Sequence, residues 1–449
     1  MRKHVIVAGL CALALVLGAA AASAQIQGLY YEEVEKDGRI YVFNTPERAK
    51  TFEESGEIGI AITLVGRAVG GKTLVAENET AADLYLFKHG LPAYDRPTPP
   101  APKLPFDVSW KDGKTTIKSK NATLNISNRA QVRFTSESLD ANSATAGPER
   151  DSFRLRRMKT KFDGWAYDKD LTYELQVNFA DSANVLEDAN VNYDFTEGKK
   201  TVMLKAGQFK VPFGRQELTS SGSQQFVDRA AVSNTFARGR DIGVQIWGTP
   251  TGAKLDWRVG VFNGNGRTTS RNDNDDLQVN ARLQWAPFGD PKYSESDFDS
   301  TDKLLFSVAV DTESNVREVA ATPTALAHQN DQKIVGIDAT AKYKGFSLFV
   351  ERFDRENDRN NGFSDFDDEG YVAQAGYFLL PQKFEIALRA SELDPNSDVG
   401  DNERTENGIA FNYFWDKHNR KLQADFRELE DKARNAKDKE IRLQYQIIF

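Results

Sequence analysis

Five cations, Lys210, Arg215, Arg229, Arg238 and Arg240, crowd one stretch of the chain, with Asp228 and Asp241 as counter-charges. Guanidinium and ammonium groups gathered in this way can draw an anionic solute to a narrow passage. They can equally form structural ion pairs that pin a loop to a wall. Other motifs suggest chemistry that their context does not support. Gly66-Arg67-Ala68-Val69-Gly70-Gly71-Lys72-Thr73 fits the phosphate-cradling pattern G-x-x-x-x-G-K-T. That loop must open directly into a helix, whereas Leu74-Val75-Ala76 reads as a strand, so a glycine-rich hairpin turn is expected. Asn272-Asp273-Asn274-Asp275-Asp276 and the acids of 365–369 lack the ordered spacing of a calcium loop and read as solvated charge. Beyond residue 24 the histidines are His89, His328 and His418, far apart in the chain. A barrel lipase or protease, or a zinc site, therefore has little to build on. No enzyme activity, metal or cofactor is expected.

The elements that position the cations begin with an address. Arg2 and Lys3 precede an apolar run, 5–17, and an Ala22-Ser23-Ala24 cleavage box. This reads as a secretory signal peptide, with the mature chain starting at Gln25. Cys11, the only cysteine, lies inside it, so the mature chain has no disulfide and no thiol metal site. No later segment has the roughly 18 apolar residues of a membrane helix. A mean hydropathy of −0.55 still allows a barrel, because only alternate residues of its strands face lipid. The net charge is −8, and removing Arg2 and Lys3 leaves 56 basic against 66 acidic residues. Such a balance argues against nucleic acid as a partner.

Pro92, Pro97, Pro99, Pro100, Pro102 and Pro105 predict an extended linker over 92–105. Before it, 25–91 reads as a small α+β region. Strands at 30–34 and 39–43 flank the turn Asp37-Gly38. A helix follows Thr45-Pro46-Glu47, strands lie at 58–65 and 74–76, and a second helix spans 78–89.

From about Ala122 to the end, alternating strands repeat. Leu171, Tyr173, Leu175, Val177 and Phe179 interleave with Thr172, Glu174, Gln176 and Asn178. The last strand sets Ile441, Leu443, Tyr445, Ile447 and Phe449 on one face and Arg442, Gln444 and Gln446 on the other. One face suits lipid and the other water. About 16 such strands of around ten residues predict an all-β fold, an antiparallel transmembrane β-barrel occupying 106–449. Tight turns at 167–170 and 344–345 alternate with long loops at 136–152, 263–276 and 354–369. With the apolar parity toward lipid, the lumen carries Arg129, Arg133, Arg157, Lys159, Lys161, Lys205, Arg282, Arg389, Arg427 and Arg442. It carries fewer acids: Glu174, Asp194, Asp256, Glu385 and Asp425. The remaining acids concentrate in segments such as 294–302 and 354–369. A mostly basic interior, favouring anions, is the expectation.

Between residues 207 and 244 the sequence is more specific. Lys210-Val211-Pro212-Phe213-Gly214-Arg215 ends a strand, Asp228-Arg229 stands mid-loop, and Phe236-Ala237-Arg238-Gly239-Arg240 leads into the next strand. This run resembles the phosphate-selective porin O/P family, and Phe153-Arg154-Leu155-Arg156-Arg157 resembles that family's early strand. The similarity extends over roughly 115–449. It implies a 16-stranded outer-membrane barrel, commonly trimeric, with one loop (here about 210–240) folded into the lumen as a constriction. Small hydrophilic solutes, anions and phosphate among them, would diffuse through it. Lys210, Arg215, Arg229, Arg238 and Arg240 would then border the anion path, with Arg129, Arg133, Arg157, Lys159, Lys161 and Arg282 lining the pore. Lipid, lipopolysaccharide and further copies of the chain are the expected partners. An even strand number puts both barrel ends, and hence 25–91, in the periplasm, where that region could plug the pore, bind cell wall or hold a partner.

Overall fold

The computed structural model describes residues 30–94, 96, 105–144, 147, 149–250, 254–267, 271–322 and 326–449. The expected signal peptide and cleavage box lie outside these residues, as do Pro97, Pro99, Pro100 and Pro102 of the expected linker. The chain divides into two compact units at residues 103/104.

In the N-terminal unit, β1 (Glu32–Lys36) and β2 (Arg39–Phe43) form a hairpin. Asp37 and Gly38 both take positive φ, the conformation a two-residue turn needs. Next come α1 (Pro46–Ser55), β3 (Ile62–Leu64), β4 (Thr73–Ala76) and α2 (Glu79–Lys88), with sheet order β1-β2-β4-β3. Asn78 caps α2 by accepting from the Ala81 N–H at 3.0 Å. Thr45 precedes α1 but caps nothing: its hydroxyl donates instead to buried Glu77, which also accepts from the Asn44 and Thr45 amides. Val42, Leu74, Ala76, Tyr85 and Leu86 form the core. The strand expected over 58–65 shrinks to three residues. The glycine-rich stretch is the hairpin connection between antiparallel β3 and β4, with a single 3-10 turn at Val69–Gly71, so no helix N-terminus faces it.

The second unit is a closed antiparallel barrel. Its sixteen strands are β7 (Ala122–Ser138), β8 (Arg150–Ala166), β9 (Leu171–Asn178), β10 (Leu186–Asp194), β11 (Met203–Lys210), β12 (Arg240–Gly248), β13 (Leu255–Phe262), β14 (Gln278–Trp285), β15 (Leu305–Val319), β16 (His328–Tyr343), β17 (Phe346–Arg359), β18 (Phe366–Leu380), β19 (Phe384–Asp394), β20 (Arg404–Asp416), β21 (Arg420–Asp431) and β22 (Ala436–Ile448). β22 closes on β7 from Lys439↔Ser138 to Ile448↔Arg129. The terminal Phe449 exchanges backbone hydrogen bonds with Asn128. Past that point a hairpin the sequence did not suggest, β5 (Asp107–Lys111) and β6 (Lys114–Lys118), pairs with the start of β7 and extends the wall where β22 has ended.

The expected parity is present. Ile441, Leu443 and Tyr445 point out of the barrel, while Arg442, Gln444 and Gln446 are at most 2% exposed. Trp285, Tyr343, Tyr377, Tyr413, Trp415 and Tyr445 are exposed toward one end of their strands, the place of an interfacial aromatic girdle. Strand lengths are uneven, from 8 residues in β9 to 17 in β7. The segment 354–369 is not a long loop, because β17 and β18 occupy most of it and leave only 360–365 between them. The tight-turn end carries 344–345, 381–383 and 417–419, but also one long connection, 286–304.

Candidate functional site

The connection between β11 and β12 turns into the lumen instead of away from it. It contains two short helices, α3 (Arg215–Leu218) and α4 (Ala231–Phe236). Burial of apolar side chains drives the turn. Val211, Phe213, Val232 and Phe236 pack with Phe209, Phe262, Ile334, Phe353 and Leu393. Phe226 meets Ala387 and Ala410, and Ala230 meets Phe349 and Val372. Glycines on the facing strands leave room. A Cβ at Gly376 would stand 1.9 Å from Gln225 Nε2, and one at Gly408 would stand 2.9 Å from the Phe226 ring. Polar pins finish the seat. The Val227 amide donates to Asp425 at 3.0 Å, the Ala231 amide to Glu406 at 2.8 Å, and Lys421 to the Gln224 carbonyl at 2.8 Å.

Because the loop lies on the β15–β22 side, the open space is left on the other side. A cavity of about 600 Å³ remains between the loop and β7–β13. Its lining includes twelve basic side chains (Arg129, Arg156, Arg157, Lys159, Lys161, Lys205, Lys210, Arg229, Arg238, Arg240, Arg258 and Arg267) and only four acidic ones (Glu174, Asp181, Glu187 and Asp188). A second cavity of about 360 Å³ shares Lys161, Glu174, Asn190 and Lys205 with the first. It continues toward the tight-turn end at Lys169, Gly198 and Lys200.

The expected site residues divide into two sets. Lys210, Arg229, Arg238, Arg240, Arg129, Arg157, Lys159 and Lys161 border the cavity. Most of them also hold a carboxylate. Arg240 grips Asp188 with two hydrogen bonds, at 3.0 and 2.8 Å. Arg238 reaches Glu313 at 2.6 Å and Lys159 reaches Glu187 at 2.5 Å. Lys161 lies 3.0 Å from Glu174, and Arg157 lies 3.5 Å from Asp228. Arg229 pairs with Glu217, an acid of this loop additional to Asp228 and Asp241, at 3.0 Å. Lys210 donates to the Glu217, Leu218 and Thr219 carbonyls at the end of α3.

Arg215, Arg133 and Arg282 stand apart from the cavity lining. Arg215 is buried where α3 of the inward loop meets the wall, donating to Gln284 at 3.1 Å and to the Lys292 carbonyl at 2.6 Å. Arg133 donates to Asp228 at 2.5 Å and to the Val227 carbonyl at 3.0 Å. Arg282 sits between Asp311 and Asp338 at 2.7 and 2.6 Å, with all three side chains at most 1% exposed. Their work is to hold the wall and the loop. Asp241 is structural too, accepting from the Ile242, Gly264 and Gly266 amides.

Asp228 is the loop's central anchor, with Arg133, Arg156, Arg157 and Arg442 around it. Burial alone would raise its carboxyl. The Arg133 hydrogen bond and the charges of Arg133, Arg156 and Arg157 outweigh burial and hold it well below the usual carboxylate range. Glu217 behaves alike: burial opposes ionisation, and Arg229, Lys210 and Arg240 prevail to lower its carboxyl.

Two cavity cations hold no carboxylate among the described residues. Lys205 faces the Phe209 and Trp247 rings at 5.2 and 5.5 Å. Arg129 donates to Ser221 at 3.0 Å and leaves its buried Nε without a partner. Lys205 carries the right parity in the sequence, but nothing there marks it as unpaired. The expectation of a mostly basic lumen needs correction. Glu187, Asp188, Asp311, Glu313, Asp338, Glu351, Asp368 and Glu406 are also buried on the lumen side. The acids of 294–302, expected apart from the lumen, include two that are buried, Glu295 and Asp297.

Three solved structures have the same kind of barrel. An outer-membrane channel, DcaP of Acinetobacter baumannii, aligns with a TM-score of 0.52 at 13% identity, covering 74% of this chain and 99% of that one. An anion-selective porin from Comamonas acidovorans gives 0.51 at 12%, covering 73% and 100%. OmpT, an outer membrane protein of Vibrio cholerae, gives 0.51 at 11%, covering 74% and 99%. At such identities the likeness is one of fold. No curated protein matches the sequence. The family model of the phosphate-selective porins O and P matches residues 127–447, taking in the barrel, its inward loop and both charged walls. The chain therefore belongs to the phosphate-selective porin O and P family and is an outer-membrane porin.

Proposed function

We propose that this porin prefers anions and passes them down the β7–β13 side of its lumen, without chemistry on the solute. The supporting observation is the cavity lining, with twelve cations against four anions. Paired cations still contribute, because a guanidinium between a carboxylate and water keeps donors toward the water. Lys205 and Arg129, free of carboxylates, would give the strongest contacts to a passing anion. Phosphate is one candidate among small anions. A reversal-potential measurement across a KCl gradient in planar bilayers tests the reading. A chloride-favouring potential at neutral pH is expected, and a potassium-favouring one would overturn it.

The same reading takes the pore as a homotrimer. A low wall supports it: the strands of β9–β14 have only 8 or 9 residues. At about 3.3 Å per residue and roughly 40° of tilt, eight residues rise about 20 Å, short of the ~25 Å apolar band. Protein from a second copy would cover that side better than lipid. Chemical cross-linking in membranes should capture trimers. We also take the signal to be cleaved after Ala24 and the N-terminal unit to be periplasmic. Protease protection in intact cells and N-terminal sequencing of the purified protein check both points.

A further inference from the structure

The connection 286–304 between β14 and β15 stands out at the tight-turn end, because it too enters the lumen. Its tip is built into the inward loop. The Glu295 amide donates to the Ser223 carbonyl at 3.1 Å. One carboxylate oxygen of Glu295 accepts from the Gln225 amide at 2.7 Å and from Gln374 at 2.8 Å, and the other accepts from Gln216 at 3.1 Å. Tyr293 lies under the Arg215 guanidinium at 4.9 Å. The base of the segment is fixed to the barrel. Asp297 accepts from the Gly345 amide at 2.8 Å, and Phe298 sits among Phe378, Phe414 and His418. Nothing in the inward loop's own apolar seam requires this second clasp. Phe213, Phe226 and Phe236 already seat the loop toward β16–β20.

What the clasp covers gives it a purpose. Against the wall beneath the two segments lie Asp311, Asp338, Glu351 and Glu385, all buried. Asp311 accepts from the Gly214 amide and Glu351 from the Arg215 amide and the Ser233 hydroxyl of the inward loop. Glu385 accepts from Gln225 of that loop at 2.7 Å and from Ser296 of 286–304 at 2.9 Å. Arg282 is the cation set between the first two. Were water and solutes to reach these carboxylates, the pore would have an acidic half as well as a basic one.

We propose that 286–304 is a second, opposed constriction element that determines selectivity. By clasping the inward loop through Glu295 it closes the acidic half of the lumen, so that solutes meet only the basic half. The proposal rests on the reading that the basic side conducts. It predicts that loosening the clasp raises conductance and moves selectivity toward cations.

The test uses the full-length porin in planar bilayers, with barrel folding checked by heat-modifiable gel mobility. Two variants are compared with the unaltered protein: Glu295→Ala, and a chain in which 292–299 is replaced by a short Gly-Ser turn. The shortened chain should conduct about twofold more or better, since a second portion of the cross-section opens. Its reversal potential should shift toward potassium. Glu295→Ala should give a smaller shift in the same direction, and it carries the test alone if the shortened chain does not insert. Folded variants with unaltered conductance and reversal potential overturn the proposal. Raised conductance with an unchanged reversal potential overturns its selectivity claim. A potassium preference in the unaltered protein would instead strike at the anion reading, independently of any variant.

Discussion

The two sides of this lumen use the same residue types to opposite ends. Along β7–β13, Arg129, Lys161, Lys205 and Arg240 border open space. Along β14–β17, Arg282 is sealed between Asp311 and Asp338 with no exposed surface. The first side can act on a solute, and the second can act only on the fold. Charge counts alone miss this distinction, because a buried carboxylate facing a buried arginine offers no field to a passing ion. It also explains how a chain of net charge −8 can hold a basic channel. Its acids are spent in buried pairs and outside the cavity, and its cations dominate where water enters.

The sharpest way to break the comparison is to remove a cation from each side. Arg282→Met leaves Asp311 and Asp338 without their buried partner. Losing one member of a buried ion pair costs about 3–5 kcal/mol, so the barrel should unfold at markedly lower urea concentration or fail to insert. Adding Asp311→Asn and Asp338→Asn should restore most of the loss. Lys205→Met, on the open side, should leave urea stability within about 0.5 kcal/mol, as for a substitution away from such features. Equal losses at the two positions would show that the division between structural and conducting cations is wrong.

Next in size is the anchor that divides the two sides. Asp228 has a carboxyl held well below the usual range by Arg133 and its neighbours, after burial's opposing effect. A lowered folded value means that its stabilisation is complete above the unfolded value of about 3.9 and is lost only as pH falls through the folded value. Protonation of Asp228 should therefore not release the loop between pH 7 and about pH 4. Asp228→Asn removes the charge at every pH and leaves Arg133, Arg156, Arg157 and Arg442 facing one another. Its single-channel current at pH 7 should flicker between levels where the unaltered pore is steady. A steady current from the Asp228→Asn variant would mean that the apolar seam alone holds the loop.

A smaller effect belongs to the open side. A unit charge about 5 Å from an ion's path in a medium of ε near 80 is worth about 0.8 kcal/mol, or roughly fourfold in local anion concentration. Lys205→Met and Arg129→Met should each lower the chloride-to-potassium permeability ratio by up to about that factor. Charge reversal at Lys205 should lower it further. Unchanged ratios would move the anion path away from these two residues.

Much of this architecture is legible in the sequence. The alternation ending at Phe449 carries the barrel, its approximate strand number and the inward parity of Arg129, Lys205, Arg282 and Arg442. The run 207–244 points to the inward loop by resemblance. Pairing is not legible. Whether Arg215 or Lys205 stands free depends on strands and loops distant in sequence, such as the Lys292 carbonyl for Arg215. The acidic side is hidden because β15 and β17 mix polar residues on both faces, which blurs the alternation. Asp354 and Glu356 point outward, alternating with the inward Phe353, Arg355 and Asn357. The acids of 294–302 read as loop charge apart from the lumen, yet Glu295 finds an amide donor on the inward loop and Asp297 one on the 344–345 turn. The β5–β6 hairpin is masked by its shortness and its polar lysine-rich ends.

Salt should distinguish the two sides by the least invasive means. The screening length falls from about 10 Å at 0.1 M to about 3 Å at 1 M. Around Lys205 and Arg129 the field must cross water to reach a solute, so raising salt should drive the permeability ratio of the unaltered pore toward that of the Lys205→Met variant. Around Arg282 no water intervenes between the guanidinium and Asp311 or Asp338, and buried pairs are screened much less. The stability deficit of Arg282→Met should therefore persist at about 1 M salt. If selectivity survives high salt, the path is too narrow for counter-ions to screen it, and the discriminating contacts are direct hydrogen bonds from these cations. If the Arg282→Met deficit fades instead, water reaches the acidic side, and the two walls differ in degree of exposure rather than in kind.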